Sequence, residues 1–304
     1  IIIPLMYSLK EVIKLQKPNI KDITLKNYIR NIKTIIFKYT GKNLATFKTK
    51  PDMYSRQYLR DFEDVEKFIS FLSNLKVAEA TKYTYLFAVI TLLSLDKEEY
   101  KNEIKEYQFL YKQMGESLKK LPKTENEEKQ WTTMASLIKK TNELGKDITT
   151  FKKHRNFVIA SLHVLQPPRR NIARTLIITT KAPKESKNNY LVIGDQYYFI
   201  YNDQKARTYN GERINVNRAL QNILKNYIEK YNKSGFYVGN NLLLPTYNKG
   251  DIELSTGAYT HILKKYLGVS SSLIRKIYIS ENKKDEITGM GNSTATQYNY
   301  YYKK

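Results

Sequence analysis

The spacing of apolar residues changes character once along this chain, and that change limits the fold more than any other feature. In the first part the spacing is helical throughout. Between Leu25 and Tyr39, apolar side chains fall at Leu25, Tyr28, Ile29, Ile32, Ile35, Ile36 and Tyr39, the i, i+3, i+4, i+7 stripe of an amphipathic helix. "DVEKFISFLSNL" from Asp64 repeats the stripe. "EATKYTYLFAVITLLSL" from Glu79 is apolar on more sides and reads as the most buried helix of this part. "NEIKEYQFLYKQMG" from Asn102 aligns Ile104, Tyr107, Leu110, Tyr111 and Met114, with Gly115 near its stop. Four helices and no strand are expected here. Then comes "KKLPKTENEEKQ", Lys119 to Gln130, which is polar, charged and broken by Pro122. It reads as a linker.

Beyond the linker the periods mix. "FKKHRNFVIASLHVL" is an apolar helix that ends at Gln166-Pro167-Pro168. "NNYLVIGDQYYFIYNDQKARTYNGERINVN" alternates apolar and polar residues, with turn signals at Gly194-Asp195 and Asn210-Gly211. That is the pattern of a small antiparallel sheet. Helices follow at Arg218–Lys230, Thr256–Leu267 and Ser271–Ser280. A helical domain over 1–120, a linker over 121–130 and an α+β domain over 131–304 are the expected organisation, so the fold class is mostly α with a small antiparallel sheet.

A chain of 304 residues with 41% hydrophobic content is long enough for two such cores. Its 52 Lys and Arg against 29 Asp and Glu leave a net charge of +23. So large a surplus repels itself and is relieved by a polyanion, with nucleic acid the first candidate. The richness in Lys, Asn, Ile and Tyr points to an AT-rich genome, and part of the Lys excess then follows from codon use. Glu, which the same bias favours, does not keep pace. No apolar run is long enough to span a bilayer, and the opening "IIIPLMYSLK" is too short and poorly flanked for a secretory signal. It lacks an initiator Met, as a trimmed chain or a fragment does. The chain has no Cys, which excludes disulfides, thiol catalysis and thiolate zinc sites. Its three His, at 154, 163 and 261, show no metal-binding spacing. No cofactor or metal is expected.

Four stretches carry residues suited to phosphate chemistry. In "LQPPRRNIARTL", Arg169 and Arg170 follow a rigid Pro-Pro that limits their backbone freedom. "QKARTYNGERINV" is a basic loop inside the β segment. In "GVSSSLIRKIYIS", Arg275 stands among Leu273, Ile274 and Ile277, an expensive place for a guanidinium unless its fork meets an anion. "MGNSTATQYNYYYKK" ends the sequence with Tyr298, Tyr300, Tyr301 and Tyr302. Each has a structural reading as well: a solvated helix start, a hairpin tip, an Arg paired with Asp285 or Glu286, and a packing patch.

Taken in order, the four stretches resemble the catalytic domain of the tyrosine recombinases, the phage-integrase-like family. "PPRRNIARTL" resembles the family's first Arg box, with Arg169 the better match and Arg170 the alternative. Lys205 in "DQKARTY" resembles the hairpin Lys, with Arg207 a weaker candidate. "SSLIRK" resembles the His-x-x-Arg box and gives Arg275. "MGNSTATQYNYYY" resembles the segment from the Gly-His-Ser turn to the nucleophile. Counting nine residues from Asn292 reaches Tyr301, and Tyr300 is the alternative. The match covers roughly residues 130 to 304. The helical first domain is similar to the family's core-binding, DNA-clamping domain. Two positions depart from the pattern: Ser272 stands where the family has His, and Asn292 where it has His or Trp. Both side chains hydrogen-bond phosphate oxygens, and neither is an imidazole base.

The resemblance implies a site-specific recombinase or integrase that cuts and rejoins double-stranded DNA as a homo-oligomer, dimer to tetramer. Its intermediate is a 3′-phosphotyrosyl bond, formed without metal or ATP. The lack of Cys, zinc motifs, a Walker A loop and an acidic metal cluster agrees with this. A type IB-like topoisomerase and a DNA-binding relative with impaired catalysis stay open as alternatives. Family members usually continue past the nucleophile, whereas only Tyr302, Lys303 and Lys304 follow Tyr301. Either the chain is cut there, or protomers exchange another element. A virus or mobile element suits the composition, with the protein located wherever its DNA is: the nucleus or a viral factory, or a bacterial cytoplasm, and not secreted.

Overall fold

The computed structural model describes residues 9–42, 57–119, 122–169, 171–181, 186–202, 211–232, 242–246 and 249–282. The chain divides into two compact units, Ile1–Leu121 and Pro122–Lys304, each with its own apolar cluster. It is mostly helical with a small sheet.

Unit 1 contains α1 (Leu9–Gln16), α2 (Asp22–Thr40), α3 (Gln57–Arg60), α4 (Val65–Asn74), α5 (Glu79–Leu93) and α6 (Lys101–Lys119) among the described residues. The four helices read from periodicity correspond to α2, α4, α5 and α6. The short α1 and α3 are additional. Helix α2 buries Leu25, Ile32, Ile35 and Ile36. It stops at Gly41, whose φ of 71° is a left-handed cap that suits a residue without Cβ. Helix α5 buries residues on nearly every side of its second half, as its all-round apolar sequence requires. Gly115 does not stop α6, which runs on to Lys119. Its role is close approach: a Cβ there would lie 3.3 Å from the Tyr83 hydroxyl, and the Tyr83 ring stacks on Tyr111 at 4.0 Å.

Charge is unevenly spread along unit 1. Residues 9–42 hold nine Lys and Arg and two acids, whereas residues 57–75 hold four acids and two basic residues. Lys26 and Arg30 are exposed four residues apart on α2, so they share a face.

Unit 2 begins earlier than the linker reading allows. Glu125–Gln130 form helix α7. No apolar periodicity marks this helix; its signal is a capping box, in which the Thr124 side chain accepts from the Glu127 N–H and the Glu127 side chain from the Thr124 N–H. Glu127 also pairs with Lys276, on helix α12 (Ser271–Glu281), which fastens this segment to the unit. Helices α8 (Met134–Gly145) and α9 (Phe151–Val164) follow. Helix α9 is buried on almost every side and is the central helix of the unit.

The sheet has the order β1-β2-β3-β4, formed by Leu176–Thr179, Asn189–Val192, Tyr198–Tyr201 and Glu212–Asn215. The β2–β3–β4 pairing is antiparallel, at the turns that Gly194 and Gly211 mark. The sheet as a whole is mixed rather than antiparallel, because β1 pairs parallel to β2. Strand β1 is only four residues long, three of them apolar, too short for periodicity to assign. Helix α10 (Arg218–Asn232), the two-stranded β5 (Pro245–Thr246) and β6 (Lys249–Glu253), and α11 (Thr256–Leu267) complete the order before α12. Helices α11 and α12 both pack on α9. No helix among the described residues is long and apolar enough to cross a membrane.

Candidate active site

The end of α9 brings Arg169 into the core. Pro167 and Pro168 stop the helix, and Arg169 is only 4% exposed. A guanidinium this deep requires an anion, and Glu212 on β4 supplies one: Nη2 of Arg169 donates to Oε2 of Glu212 at 2.6 Å. The guanidinium also lies 4.2 Å from the ring centre of Tyr201 on β3, a cation–π distance. Burial pushes the Tyr201 phenol well above its usual pKa, with Arg169 opposing and Glu212 adding to the rise.

Arg275 reaches the same core from α12 and is likewise 4% exposed. Ile274 and Ile277 beside it are fully buried. Its charge is felt by His163 of α9, whose pKa is held down to about 4, chiefly by burial and further by Arg275. The His163 imidazole is therefore neutral. Its Nδ1 lies 3.1 Å from the Ile159 carbonyl, so the Nδ1–H donates there and Nε2 carries the lone pair. Tyr259 of α11 packs its ring on His163, with centroids 5.5 Å apart. The Tyr259 phenol is raised well above its usual pKa by burial and then by Tyr201.

Arg169, Tyr201, Tyr259, His163 and Arg275 are all buried in unit 2: Arg169 lies over the Tyr201 ring, Tyr259 packs on His163, and Tyr201 and Tyr259 belong to one apolar cluster. Arg169 and Arg275 are two of the residues singled out in the sequence. The others were not. His163 lay inside an apolar helix pattern, and Tyr201 and Tyr259 are two among 26 tyrosines. Glu212 had a usable signal, since it is the register partner of Tyr201 across the hairpin.

Ser272 is exposed in the first turn of α12 and the adjacent Ser271 is buried, three and four residues before Arg275, both spacings that bring helix positions together. Arg170, Lys205, Arg207, Asn292, Tyr300 and Tyr301 lie outside the described residues, as do Asp285 and Glu286.

Two guanidinium groups set in a low-dielectric wall are suited to holding an oxyanion, because charge–charge attraction there is much stronger than in water. Among the described residues, no group of three or more His, Asp or Glu is placed to hold a metal ion. Compared with protein-family models, curated proteins and solved structures, the chain matches none, so the case for a function rests on the residues of this site.

Proposed function

We propose that the chain is a DNA strand transferase of the tyrosine recombinase type, acting on double-stranded DNA as a homo-oligomer. One observation carries the reading. Arg169 and Arg275, widely separated in sequence, are both buried in unit 2, Arg169 against Tyr201 and Glu212 and Arg275 on the helix that packs on α9.

In this reading the two forks grip the non-bridging oxygens of one phosphodiester and stabilise the charge that builds during attack. The phenol oxygen of Tyr301 attacks phosphorus, with Tyr300 the alternative. A Tyr–O–P bond forms and the P–O5′ bond breaks. The phenol loses its proton, and the departing 5′ oxygen gains one from Lys205. Arg207, two residues on in the sequence, is a weaker candidate for that donor. One phosphoester bond replaces another and the bond energy is kept, so rejoining reverses the same step. Unit 1, with its basic α1–α2 stretch, holds the duplex through its phosphates.

A second reading, a DNA-binding relative with impaired catalysis, draws on the exposure of Ser272. That side chain is exposed, three residues before the buried Arg275, in the position where the resemblance has an imidazole.

A nicked suicide duplex carrying the native element ends, incubated without metal and run on a denaturing gel, tests both. The strand-transfer reading expects a covalent protein–DNA band that disappears in Tyr301→Phe. Disappearance in Tyr300→Phe alone keeps the reaction and moves the nucleophile. Salt-sensitive duplex binding with no band from any substrate favours the binding relative.

A further inference from the structure

Four aromatic rings of unit 1 touch one after another across three helices. Tyr28 of α2 meets Phe87 of α5 edge-on, with ring centres 5.4 Å apart. Phe87 meets Tyr111 of α6 at 5.5 Å, and Tyr111 stacks on Tyr83 of α5 at 4.0 Å. Each of the four keeps part of its surface in solvent. The core aromatics of the same unit differ in this: Phe62, Phe68 and Tyr107 expose nothing.

A cation stands over one end of the row. The Lys17 ammonium lies 5.1 Å from the Tyr28 ring centre and 5.7 Å from that of Phe87, both within cation–π reach. The backbone fixes its place between α1 and α2. The Lys17 N–H donates to the Ile13 carbonyl at 2.9 Å, and the Lys17 carbonyl accepts from the Ile20 N–H at 3.0 Å. Burial lowers the Lys17 pKa, and no carboxylate opposes that shift. The row itself has little acid beside it. Among the helix positions three or four residues from these rings, Glu79 is the one acid, and it pairs with Lys82 at 2.9 Å.

Half-exposed rings in contact, under a cation that lacks a carboxylate, complement a ligand that is flat, apolar on its faces and anionic along its backbone. Unpaired nucleotides have that chemistry, because every base offers a π-face and every linkage a phosphate. Bases inside a duplex present their edges to the grooves instead. We propose that the row Tyr28, Phe87, Tyr111 and Tyr83, with Lys17, is a single-strand binding surface: bases stack on the rings and a phosphate meets the Lys17 ammonium. This surface is separate from the Lys26 and Arg30 face. Tyr28 stands two residues from each of them, a spacing that puts side chains on different sides of a helix. The inference stands on unit 1 alone and does not depend on the active-site reading.

The experiment titrates the full chain against fluorescein-labelled oligothymidylate and, in parallel, a duplex of the same length, read by anisotropy. Phe87→Leu and Tyr111→Leu keep an apolar side chain and remove the flat face. Each is expected to weaken single-strand binding about tenfold, with duplex Kd held within about twofold. Tyr111→Phe keeps the ring and is expected to bind as the wild type does. Lys17→Gln is expected to lower the salt slope of single-strand binding by about 0.7. Leucine variants that bind the single strand as tightly as the wild type overturn the proposal and leave the row to a protein partner. Equal losses on single strand and duplex overturn it as well. If the leucine variants do not fold, the wild-type chain decides. Irradiated with an oligonucleotide carrying iodouracil in place of thymine, it is expected to cross-link at these rings, as located by mass spectrometry. Cross-links confined to other residues, or none, overturn the proposal.

Discussion

The Tyr259 hydroxyl lies 3.4 Å from Nδ1 of His163, and both side chains are wholly buried. Burial, reinforced by Arg275, pushes the His163 pKa from 6.5 down to about 4. Between those values the unfolded chain takes up a proton that the folded chain refuses. The stability tied to this group is complete above pH 6.5 and is lost as pH falls to about 4. The full loss amounts to about 3 kcal/mol. His154 is also held down to about 4, by burial and then by Lys230, and acts in the same window. Urea unfolding over a pH series is expected to show this acid sensitivity, and His163→Asn to flatten it. An unchanged slope in His163→Asn would mean that the imidazole is not held neutral.

Arg275→Lys tests the need for a fork rather than a charge. Lysine keeps the cation but presents a point charge in place of a planar set of donors. On the proposed function, adduct formation falls by about 100-fold or more while duplex binding changes little. Rapid-quench measurement of the adduct beside an anisotropy titration separates the two. A wild-type rate in Arg275→Lys removes Arg275 from the anion grip.

The basic stretch of α1–α2 predicts where the salt dependence of binding resides. Lys26 and Arg30 share an exposed face of α2. Reversing both, Lys26→Glu with Arg30→Glu, is expected to weaken duplex binding uniformly across sequences and to lower the salt slope by about 2. Lys97→Glu with Lys101→Glu is the matched control, placed in a stretch where residues 94–106 hold five acids. Equal slopes for the two pairs would deny α2 a phosphate-contacting role.

Helix α8 ends at Gly145, close against Phe157 of α9. A Cβ on Gly145 would stand 3.0 Å from the Phe157 ring, which is closer than packed carbons come. Gly145→Ala gains about 1 kcal/mol of helix propensity but forces the Phe157 ring aside at a cost of about 1–3 kcal/mol. The expected sign is destabilising. Phe157→Leu in the same chain should recover part of the loss, which urea midpoints of the single and double variants would show.

Helices whose apolar stripe faces a core were legible in the sequence. Helices α9, α11 and α12 end within about two residues of where periodicity and breakers put them. Helix α7 was hidden because it buries nothing, so only its capping box betrays it. Gly115 was read as a stop because glycine weakens helices in general, whereas its neighbour Tyr83 gives it a reason to sit inside one. Arg169 stood out because a rigid Pro-Pro precedes it, and Arg275 because a cation among apolar residues requires an explanation. Tyr201, Tyr259 and His163 did not stand out, since a buried aromatic looks the same in a sequence whether it fills space or supports an Arg. That distinction exists only once α9, β3, α11 and α12 are brought together.

The wide sequence separation of Arg169 from Arg275 orders events during synthesis. A ribosome releases unit 1, then α9 and the hairpin, and α12 after both. On the proposed function, a partly made chain displays the basic α1–α2 stretch that would attract nucleic acid, but it lacks the helix that brings in the second guanidinium. Arg169 meets Glu212 and Tyr201 before α12 is made. On that reading the order of translation separates the holding of DNA from the completed anion site, and an abandoned nascent chain carries the first without the second.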